Sequence, residues 1–220
     1  MNNIAHFLDF ELDTGAVCFY PRPETEILVE KAVDLLSAGH GRGLPRRIMD
    51  IGTGCGSIAI SLTKYLPSSK IVALDISDSA LRIAGENALK YAAEDRIDFI
   101  KSDLFEGIDR NQYKEFFDLI ISNPPYISLG EFQSLPAKTR DDPYMALSGG
   151  RDGMNFYRKI KNEAPFFLKK NGLLLLEVGY DQSETVKAIL ASSGDFFRME
   201  SYKDYSGIDR ILKAEKWTNF

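Results

Sequence analysis

The chain has 220 residues, of which 44% are hydrophobic and 27% are charged. This composition excludes an intrinsically disordered chain, and the length suits one domain with its own core. The two cysteines, Cys18 and Cys55, are too few for a disulfide scaffold and favour a reducing, cytoplasmic setting. No apolar run approaches the ~20 residues that a bilayer span needs. The net charge of −5 argues against broad, charge-driven binding of nucleic acid.

Short apolar runs alternate with amphipathic stretches along the chain, a pattern that is typical of a parallel sheet with helices on both faces. The apolar runs predict strands at Arg47–Ile51, Lys70–Ile76, Ile97–Ser102, Phe117–Ser122, Leu173–Val178, Phe196–Tyr202 and Arg210–Lys216. Helical spacing predicts helices that follow Pro23, span Ile58–Leu66, follow Ser77, span Phe156–Leu168 and span Gln182–Leu190, with a kink or a new helix at Pro165. The segment between the last two strands is too short for a parallel crossover, so they are predicted to form an antiparallel hairpin. The interval 124–153, which contains several prolines and glycines, predicts a functional loop.

A glycine-rich turn follows the first predicted strand. It reads Asp50-Ile51-Gly52-Thr53-Gly54-Cys55-Gly56, and a helix is predicted directly after it. Glycines allow a sharp turn and let a ligand approach the main chain and the N–H groups at the start of the helix. A dinucleotide fold would place the third glycine one residue later, to seat a pyrophosphate. The spacing therefore favours a smaller ligand that lacks phosphates.

Acidic residues end the next two predicted strands. Asp75 lies ~20 residues after the glycine turn, where a carboxylate can accept hydrogen bonds from both hydroxyls of a ribose. Asp103 follows the third strand, in a place suited to the amino group of an adenine. A lone glycine turn is often only a turn, and a lone Asp at a strand end is often a helix cap. All three features lie at one edge of the predicted sheet, however, and together they predict a site for an adenosyl ligand.

This constellation resembles that of the class I S-adenosylmethionine-dependent methyltransferases. The resemblance implies a Rossmann-like α/β fold. Its sheet would have about seven strands, mostly parallel, with an antiparallel terminal hairpin and helices on both faces.

An Asn-Pro-Pro-Tyr motif follows the fourth predicted strand, at residues 123–126. The side-chain oxygen of Asn123 and the carbonyl oxygen of Pro124 can accept the two N–H groups of one planar –NH₂. Such a pair of acceptors orients the nitrogen and stabilises the positive charge that develops on it during methyl transfer. Tyr126 offers a flat face to the acceptor. The motif can also be read as a turn that ends a strand, but as a catalytic motif it selects glutamine amides or the exocyclic amines of adenine, cytosine or guanine.

Three segments carry a closer resemblance: Pro21-Arg22-Pro23-Glu24-Thr25-Glu26, the glycine turn, and Ser122-Asn123-Pro124-Pro125-Tyr126-Ile127. They resemble the HemK/PrmC family of protein-(glutamine-N5) methyltransferases, which act on peptide-chain release factors. The resemblance implies that S-adenosylmethionine donates a methyl group to the glutamine of a Gly-Gly-Gln loop in a release factor. It also implies a cytoplasmic enzyme without a metal or a membrane partner, and nucleic acid is not expected as a partner.

The resemblance implies roles for individual residues. Those implied to bind the cofactor are Asp50, Gly52, Thr53, Gly54, Cys55, Gly56, Asp75, Asp103, Leu104 and Asn123. Those implied to be catalytic are Asn123, Pro124 and Tyr126. Those implied to receive the substrate are Asn123, Pro124, Pro125, Tyr126 and Arg22. Arg22 and Glu24 either shape the mouth of the pocket or serve in an ion pair at a helix start, and Glu177 is predicted to be structural.

Members of this family usually carry an N-terminal helical domain that helps to dock the release factor, whereas about twenty residues precede Pro21 in this chain. We therefore predict that residues 1–20 are an N-terminal remnant or extension and that residues 21–220 are the methyltransferase domain. Three alternatives stay open. The same chemistry could act on a glutamine of a ribosomal protein, the acceptor could be an exocyclic amine of DNA or RNA, or the chain could be a non-catalytic subunit that binds the cofactor.

Overall fold

The computed structural model describes residues 3–38, 46–132, 134–135 and 142–217. The strands within these ranges are β1 Ile4–Phe7, β2 Phe10–Asp13, β3 Arg47–Ile51, β4 Lys70–Asp75, β5 Ile97–Lys101, β6 Phe117–Ser122, β7 Leu168–Glu177, β8 Phe196–Lys203 and β9 Asp209–Lys216. The helices are α1 Pro23–Ala38, α2 Ser57–Tyr65, α3 Asp78–Lys90, α4 Arg110–Tyr113, α5 Leu129–Phe132, α6 Tyr144–Leu147, α7 Asn155–Phe167 and α8 Ser183–Ala191, with a 3-10 turn at Glu94–Arg96. No helix in these ranges is long and apolar enough to cross a membrane.

The strands β3 to β9 form one seven-stranded sheet in the order β5-β4-β3-β6-β7-β9-β8. The pairs from β5 to β7 are parallel, whereas β9 pairs antiparallel with both β7 and β8. The predicted sheet and its terminal hairpin are confirmed, although β7 begins at Leu168 rather than at Leu173. The chain builds outward from β3 to β5 on one side and then returns to place β6 on the other side. Ligands bind at such a reversal, in a crevice at the carboxyl ends of the strands.

Two apolar clusters cover the two faces of this sheet. One includes Leu28 of α1 and Ile60 of α2, and the other includes Tyr157 of α7. Neighbouring side chains of one strand belong to opposite clusters, as Ile48 and Met49 of β3 do. Strands that are covered on both faces read as continuous apolar runs, which explains why they could be predicted from the sequence.

Two elements differ from the prediction. The helix α7 runs through Pro165 and ends at Phe167, so no second helix starts at this proline. A proline in the last turn interrupts only the end of the backbone hydrogen-bond pattern. The interval 124–153 contains the short helices α5 and α6, and Ile127 donates its N–H to the carbonyl oxygen of Leu147 at 2.9 Å. Residues 133 and 136–141 of this predicted loop lie outside the described residues.

The strands β1 and β2 form an antiparallel hairpin that the sequence analysis missed. Phe7, Phe10 and Leu12 are buried and belong to the apolar cluster that contains α1 and α2. The sequence signal for such strands is alternation of apolar and polar residues. Each of these strands has four residues, which is too short for the alternation to be recognised. Asn87 of α3 bonds both the N–H and the carbonyl oxygen of Asp13, at 3.0 and 2.8 Å. The hairpin therefore packs on the sheet domain, and the division of the chain at residue 20 stays a prediction.

Candidate functional site

A cavity of about 1020 Å³ opens at the carboxyl ends of β3, β4, β5 and β6. Ligand pockets usually measure ~300–1,000 Å³, so this cavity has room for a ligand and for a second group beside it. It occupies the edge of the sheet that the sequence analysis predicted. The predicted residues that line it are Arg22, Gly52, Thr53, Gly54, Cys55, Asp75, Asp103, Leu104, Asn123, Pro124, Pro125 and Tyr126. Asp50 and Gly56, the two other predicted residues, lie behind the wall.

The glycines of the turn have two different functions. Gly52, Gly54 and Gly56 have φ angles of 73°, 57° and 85°, which residues other than glycine rarely adopt. A Cβ atom added to Gly52 or Gly54 would meet nothing within 4 Å, whereas one on Gly56 would lie 3.1 Å from Ile60 Cδ1 and 3.2 Å from Ala84 Cβ. Gly52 and Gly54 therefore leave the cavity wall bare, and Gly56 lets α3 pack closely against the turn.

Asp50 supports the turn from the inside of the protein. Thr53 Oγ1 donates a hydrogen bond to Asp50 Oδ2 at 2.7 Å. Asp50 Oδ1 is buried and has no hydrogen-bond partner among the described residues. Burial raises the pKa of Asp50 to about 7, and the hydrogen bond from Thr53 opposes this rise. The geometry shows Asp50 holding Thr53 in place, and a contact between Asp50 and a cofactor stays a prediction.

The two predicted acids line the cavity at neighbouring strand ends. Asp75 accepts hydrogen bonds from the N–H groups of Gly54 and Ser77, both at 2.9 Å, one on each carboxylate oxygen. A carboxylate oxygen can accept more than one hydrogen bond, so Asp75 retains the capacity to bind hydroxyl groups. Asp103 lies 3.8 Å from the Nζ atom of Lys159. Lys159 also lines the cavity, and the sequence analysis missed it because it comes from α7, far along the chain.

Asn123 is held by residues that the sequence analysis did not connect to it. It follows β6 directly, and its Nδ2 atom donates to Thr25 Oγ1 at 3.0 Å. Thr25 Oγ1 in turn donates to Glu177 Oε2 at 2.7 Å. Glu177 is fully buried at the end of β7, and burial raises its pKa to about 7 against the hydrogen bond from Thr25. Thr25 lies in the segment 21–26, on which the family resemblance rests. That membership was the only sign in the sequence that Thr25 belongs to the site.

Tyr126 is fixed through its backbone. Gln182 donates its Nε2 atom to the carbonyl oxygen of Tyr126 at 2.8 Å and accepts the N–H of Gly179 at 3.1 Å. A Cβ atom on Gly153 would lie 2.5 Å from that same carbonyl oxygen, so only a glycine fits there. Burial raises the pKa of the Tyr126 hydroxyl, which keeps it neutral. No role of Gln182 or Gly153 was predicted from the sequence.

Arg22 and Glu24 combine the two roles considered for them. Both line the cavity, and each also forms an ion pair. Arg22 Nη2 lies 2.6 Å from Asp142 Oδ2, and Glu24 Oε1 lies 4.0 Å from Arg210 Nη2. The pair from Arg22 ties the start of α1 to the segment before α6. In the described part of the chain no group of three His, Cys, Asp or Glu residues could hold a metal ion.

Comparisons with known proteins identify the family of this chain. The family model of the methyltransferase small domain matches residues 25–135. A release factor glutamine methyltransferase of Agrobacterium fabrum is 40% identical over 87% of this chain, which covers 65% of that protein. A release factor glutamine methyltransferase of Gloeobacter violaceus is 34% identical over 97% of this chain and 72% of that protein. A third such enzyme, of Clostridium acetobutylicum, is 36% identical over 94% of this chain and 70% of that protein.

Several solved structures have a fold similar to that of this chain. The catalytic domain of hMettl16, solved in complex with a 3'UTR hairpin, aligns with a TM-score of 0.71 and 16% identity over 94% of this chain and 76% of that one. A methyltransferase from Pyrococcus furiosus aligns with a TM-score of 0.62 and 18% identity over 93% of this chain and 89% of that one. At these identities the likeness concerns the fold alone, and it confirms the predicted class I methyltransferase sheet.

Proposed function

The chain belongs to the family of release factor glutamine methyltransferases, and we propose that it methylates the side-chain amide nitrogen of a glutamine in a peptide-chain release factor. The acceptor would be the glutamine of the Gly-Gly-Gln loop, and S-adenosylmethionine would be the methyl donor. The observation that carries this proposal is the position of Asn123 and Pro124 on the wall of the same cavity that the glycine turn lines. The chain covers 65% of the Agrobacterium relative, so activity, substrate and partner are proposals for this protein.

The cavity suits S-adenosylmethionine. Gly52 and Gly54 leave open space along the turn, where the methionine part would lie. Asp75 and Asp103 present carboxylates to the cavity, and these can accept hydrogen bonds from ribose hydroxyls and from an adenine amino group. Asp50 Oδ1 is a buried acceptor that has no hydrogen-bond partner in the described part of the chain, and it lies behind the turn. When bound, S-adenosylmethionine supplies a methyl group that is activated by a sulfonium sulfur.

The Asn-Pro-Pro-Tyr motif would hold the glutamine amide. Because Asn123 Nδ2 is bonded to Thr25, the Oδ1 atom of Asn123 is left to accept one N–H of the substrate. The carbonyl oxygen of Pro124 would accept the other N–H. Two acceptors on one –NH₂ aim its nitrogen and stabilise the positive charge that develops on it. The ring of Tyr126 would support the planar amide.

A protein substrate fits the surroundings of the cavity better than a nucleic acid does. Tyr144 and Met145 line the cavity and are 50% and 68% exposed, so its rim offers apolar contacts to a peptide loop. The net charge of −5 gives no general attraction for a phosphate backbone. The two free cysteines, Cys18 and Cys55, are buried, in keeping with a cytoplasmic enzyme.

A labelled methyl-transfer assay tests the proposal. Release factor, ribosomal protein, DNA and RNA are offered in parallel, and the labelled residue is located by mass spectrometry. We expect label on the release factor glutamine. The variant Asn123→Ala is the matched control, since it should lose transfer by ~100-fold or more while it retains most of its affinity for S-adenosylmethionine. Label on nucleic acid alone, or on ribosomal protein alone, would overturn the proposal.

A further inference from the structure

Three side chains from distant parts of the chain form one hydrogen-bonded line behind the cavity. Asn123 Nδ2 donates to Thr25 Oγ1 at 3.0 Å, and Thr25 Oγ1 donates to Glu177 Oε2 at 2.7 Å. Thr25 and Glu177 are 3% and 1% exposed, so water does not compete for these bonds. Of these three residues, Asn123 and Thr25 line the cavity, and Glu177 lies behind them.

This line determines which way the Asn123 amide points. A hydroxyl group has a single hydrogen, and Thr25 donates it to Glu177 when the Glu177 carboxyl is ionised. Thr25 therefore faces Asn123 with oxygen lone pairs alone, which can accept a hydrogen bond but cannot donate one. A reversed amide would place Asn123 Oδ1 against Thr25 Oγ1 with no hydrogen between the two oxygens, which is costly in a buried place. The stable arrangement directs Nδ2 to Thr25 and leaves Oδ1 for the cavity.

The two supporting residues are themselves held in place. Thr25 lies in the first turn of α1, and its N–H donates to the carbonyl oxygen of Arg22 at 3.0 Å. Pro23 starts this helix, where its restricted φ angle suits the first helical position. Tyr157 donates its hydroxyl to the carbonyl oxygen of Glu177 at 3.0 Å. The line is therefore anchored to a helix start at one end and to a central strand at the other.

We infer that Thr25, supported by Glu177, is a positioning residue that holds Asn123 with its Oδ1 atom toward the acceptor nitrogen. The inference rests on the proposed function, because it gives Asn123 the task of orienting a planar –NH₂. Thr25 takes no part in the chemistry itself. Its contribution is the orientation of another side chain, which should affect turnover more than the binding of either ligand.

The test compares two substitutions at one position. Thr25→Val retains the shape of the side chain but removes the hydroxyl, and with it both the acceptor of the hydrogen bond from Asn123 Nδ2 and the donor of the hydrogen bond to Glu177 Oε2. Thr25→Ser restores the hydroxyl. We expect Thr25→Val to lower kcat on the order of 10- to 100-fold, with little change in the Kd of S-adenosylmethionine. Thr25→Ser should have a kcat close to that of the wild-type protein.

A second buried threonine controls for stability. Thr63 of α2 is 2% exposed, and its hydroxyl donates to the carbonyl oxygen of Ile60 at 2.7 Å, away from the cavity wall. Thr63→Val therefore removes a buried hydroxyl of the same kind without touching Asn123. If Thr25→Val lowers kcat no more than Thr63→Val does, or if Thr25→Ser is as impaired as Thr25→Val, the inference is wrong. An equal loss of cofactor affinity and of kcat in Thr25→Val would also overturn it.

A readout without turnover separates this inference from the proposed function. The side-chain amide protons of Asn123, assigned by their loss in Asn123→Ala, should exchange slowly with solvent in nitrogen-15 spectra of the wild-type protein. They should exchange faster in Thr25→Val and slowly again in Thr25→Ser. If the wild-type protein labels a different acceptor or none, the proposed function fails, and these exchange rates still decide the inference. Equal exchange rates in Thr25→Val and the wild-type protein would show that Thr25 does not position Asn123.

Discussion

Gly54 and Gly56 offer a matched pair of substitutions in one turn. Both residues have positive φ angles, of 57° and 85°, so Gly54→Ala and Gly56→Ala impose similar backbone strain. Their surroundings differ, because a Cβ atom on Gly54 meets nothing within 4 Å, whereas one on Gly56 lies 3.1 Å from Ile60 and 3.2 Å from Ala84. We expect Gly56→Ala to lower stability more and Gly54→Ala to impair cofactor binding more directly.

The magnitudes follow from these contacts. An alanine in the left-handed region costs ~1–2 kcal/mol, and its reduced freedom in the unfolded chain returns ~0.4–1 kcal/mol. Gly54→Ala should therefore lower the free energy of unfolding by about 1 kcal/mol. Crowding at Gly56 adds the ~1–3 kcal/mol typical of overpacked cores, which gives about 2–4 kcal/mol in total. For a domain of this size each kcal/mol lowers Tm by ~2–4 °C.

Thermal unfolding without ligand measures the stability of both variants. Calorimetric titration with S-adenosylhomocysteine measures the affinity of the cofactor site. We expect Gly54→Ala to unfold close to the wild-type temperature and to bind the ligand weakly, because its methyl group projects into the open space of the cavity wall. A lower Tm for Gly54→Ala than for Gly56→Ala would refute the distinction between a bare wall and a packed contact.

Three further predictions concern one residue of the cavity wall and two buried polar residues. Asp75→Ala should weaken cofactor binding by ~1–3 kcal/mol, since it removes a charged acceptor, and unchanged affinity in calorimetry would contradict the ribose assignment. Asn87→Ala should lower the free energy of unfolding in urea by ~2–4 kcal/mol, because it leaves the N–H and carbonyl of Asp13 and the carbonyl of Cys55 without their partner; a loss near zero would show that the hairpin is held by other contacts. The pKa of Glu177 rises from its ordinary value of 4.5 to about 7 on folding, so its contribution to stability is full below about pH 4.5 and is lost as the pH rises through about 7. Glu177→Gln should reduce this decline in unfolding free energy between about pH 4.5 and 7, and an unaltered slope would show that Glu177 does not titrate there.

Much of the fold could be predicted because its signals are local. A strand covered on both faces leaves an apolar run, as Ile48 and Met49 of β3 show by facing opposite clusters. The hairpin β1–β2 was missed because its strands have four residues each. Pro165 was predicted to kink its helix or to start a new one, and its position in the last turn of α7 lets one helix continue through it.

The site could be predicted in part for the same reason. The glycine turn, Asp75, Asp103 and Asn123 each come at or directly after a strand end, and the carboxyl ends of parallel strands meet at one edge. Asp50 sits in the same turn, yet it lies behind the cavity wall. Asp50 is buried because β3 is covered on both faces, and only the packed sheet shows which neighbour it supports.

The sequence by itself determined the parallel sheet, the order of its strand-end motifs and the family, because spacing and residue type act over a few neighbouring residues. Only the tertiary structure decided how Asn123 is oriented, since Thr25 is 98 residues from Asn123 and 152 residues from Glu177 along the chain. Hydrogen-bond direction depends on which groups meet in space. No local sequence pattern shows the orientation of the Asn123 side chain, because that orientation is set only when α1 and β7 pack together.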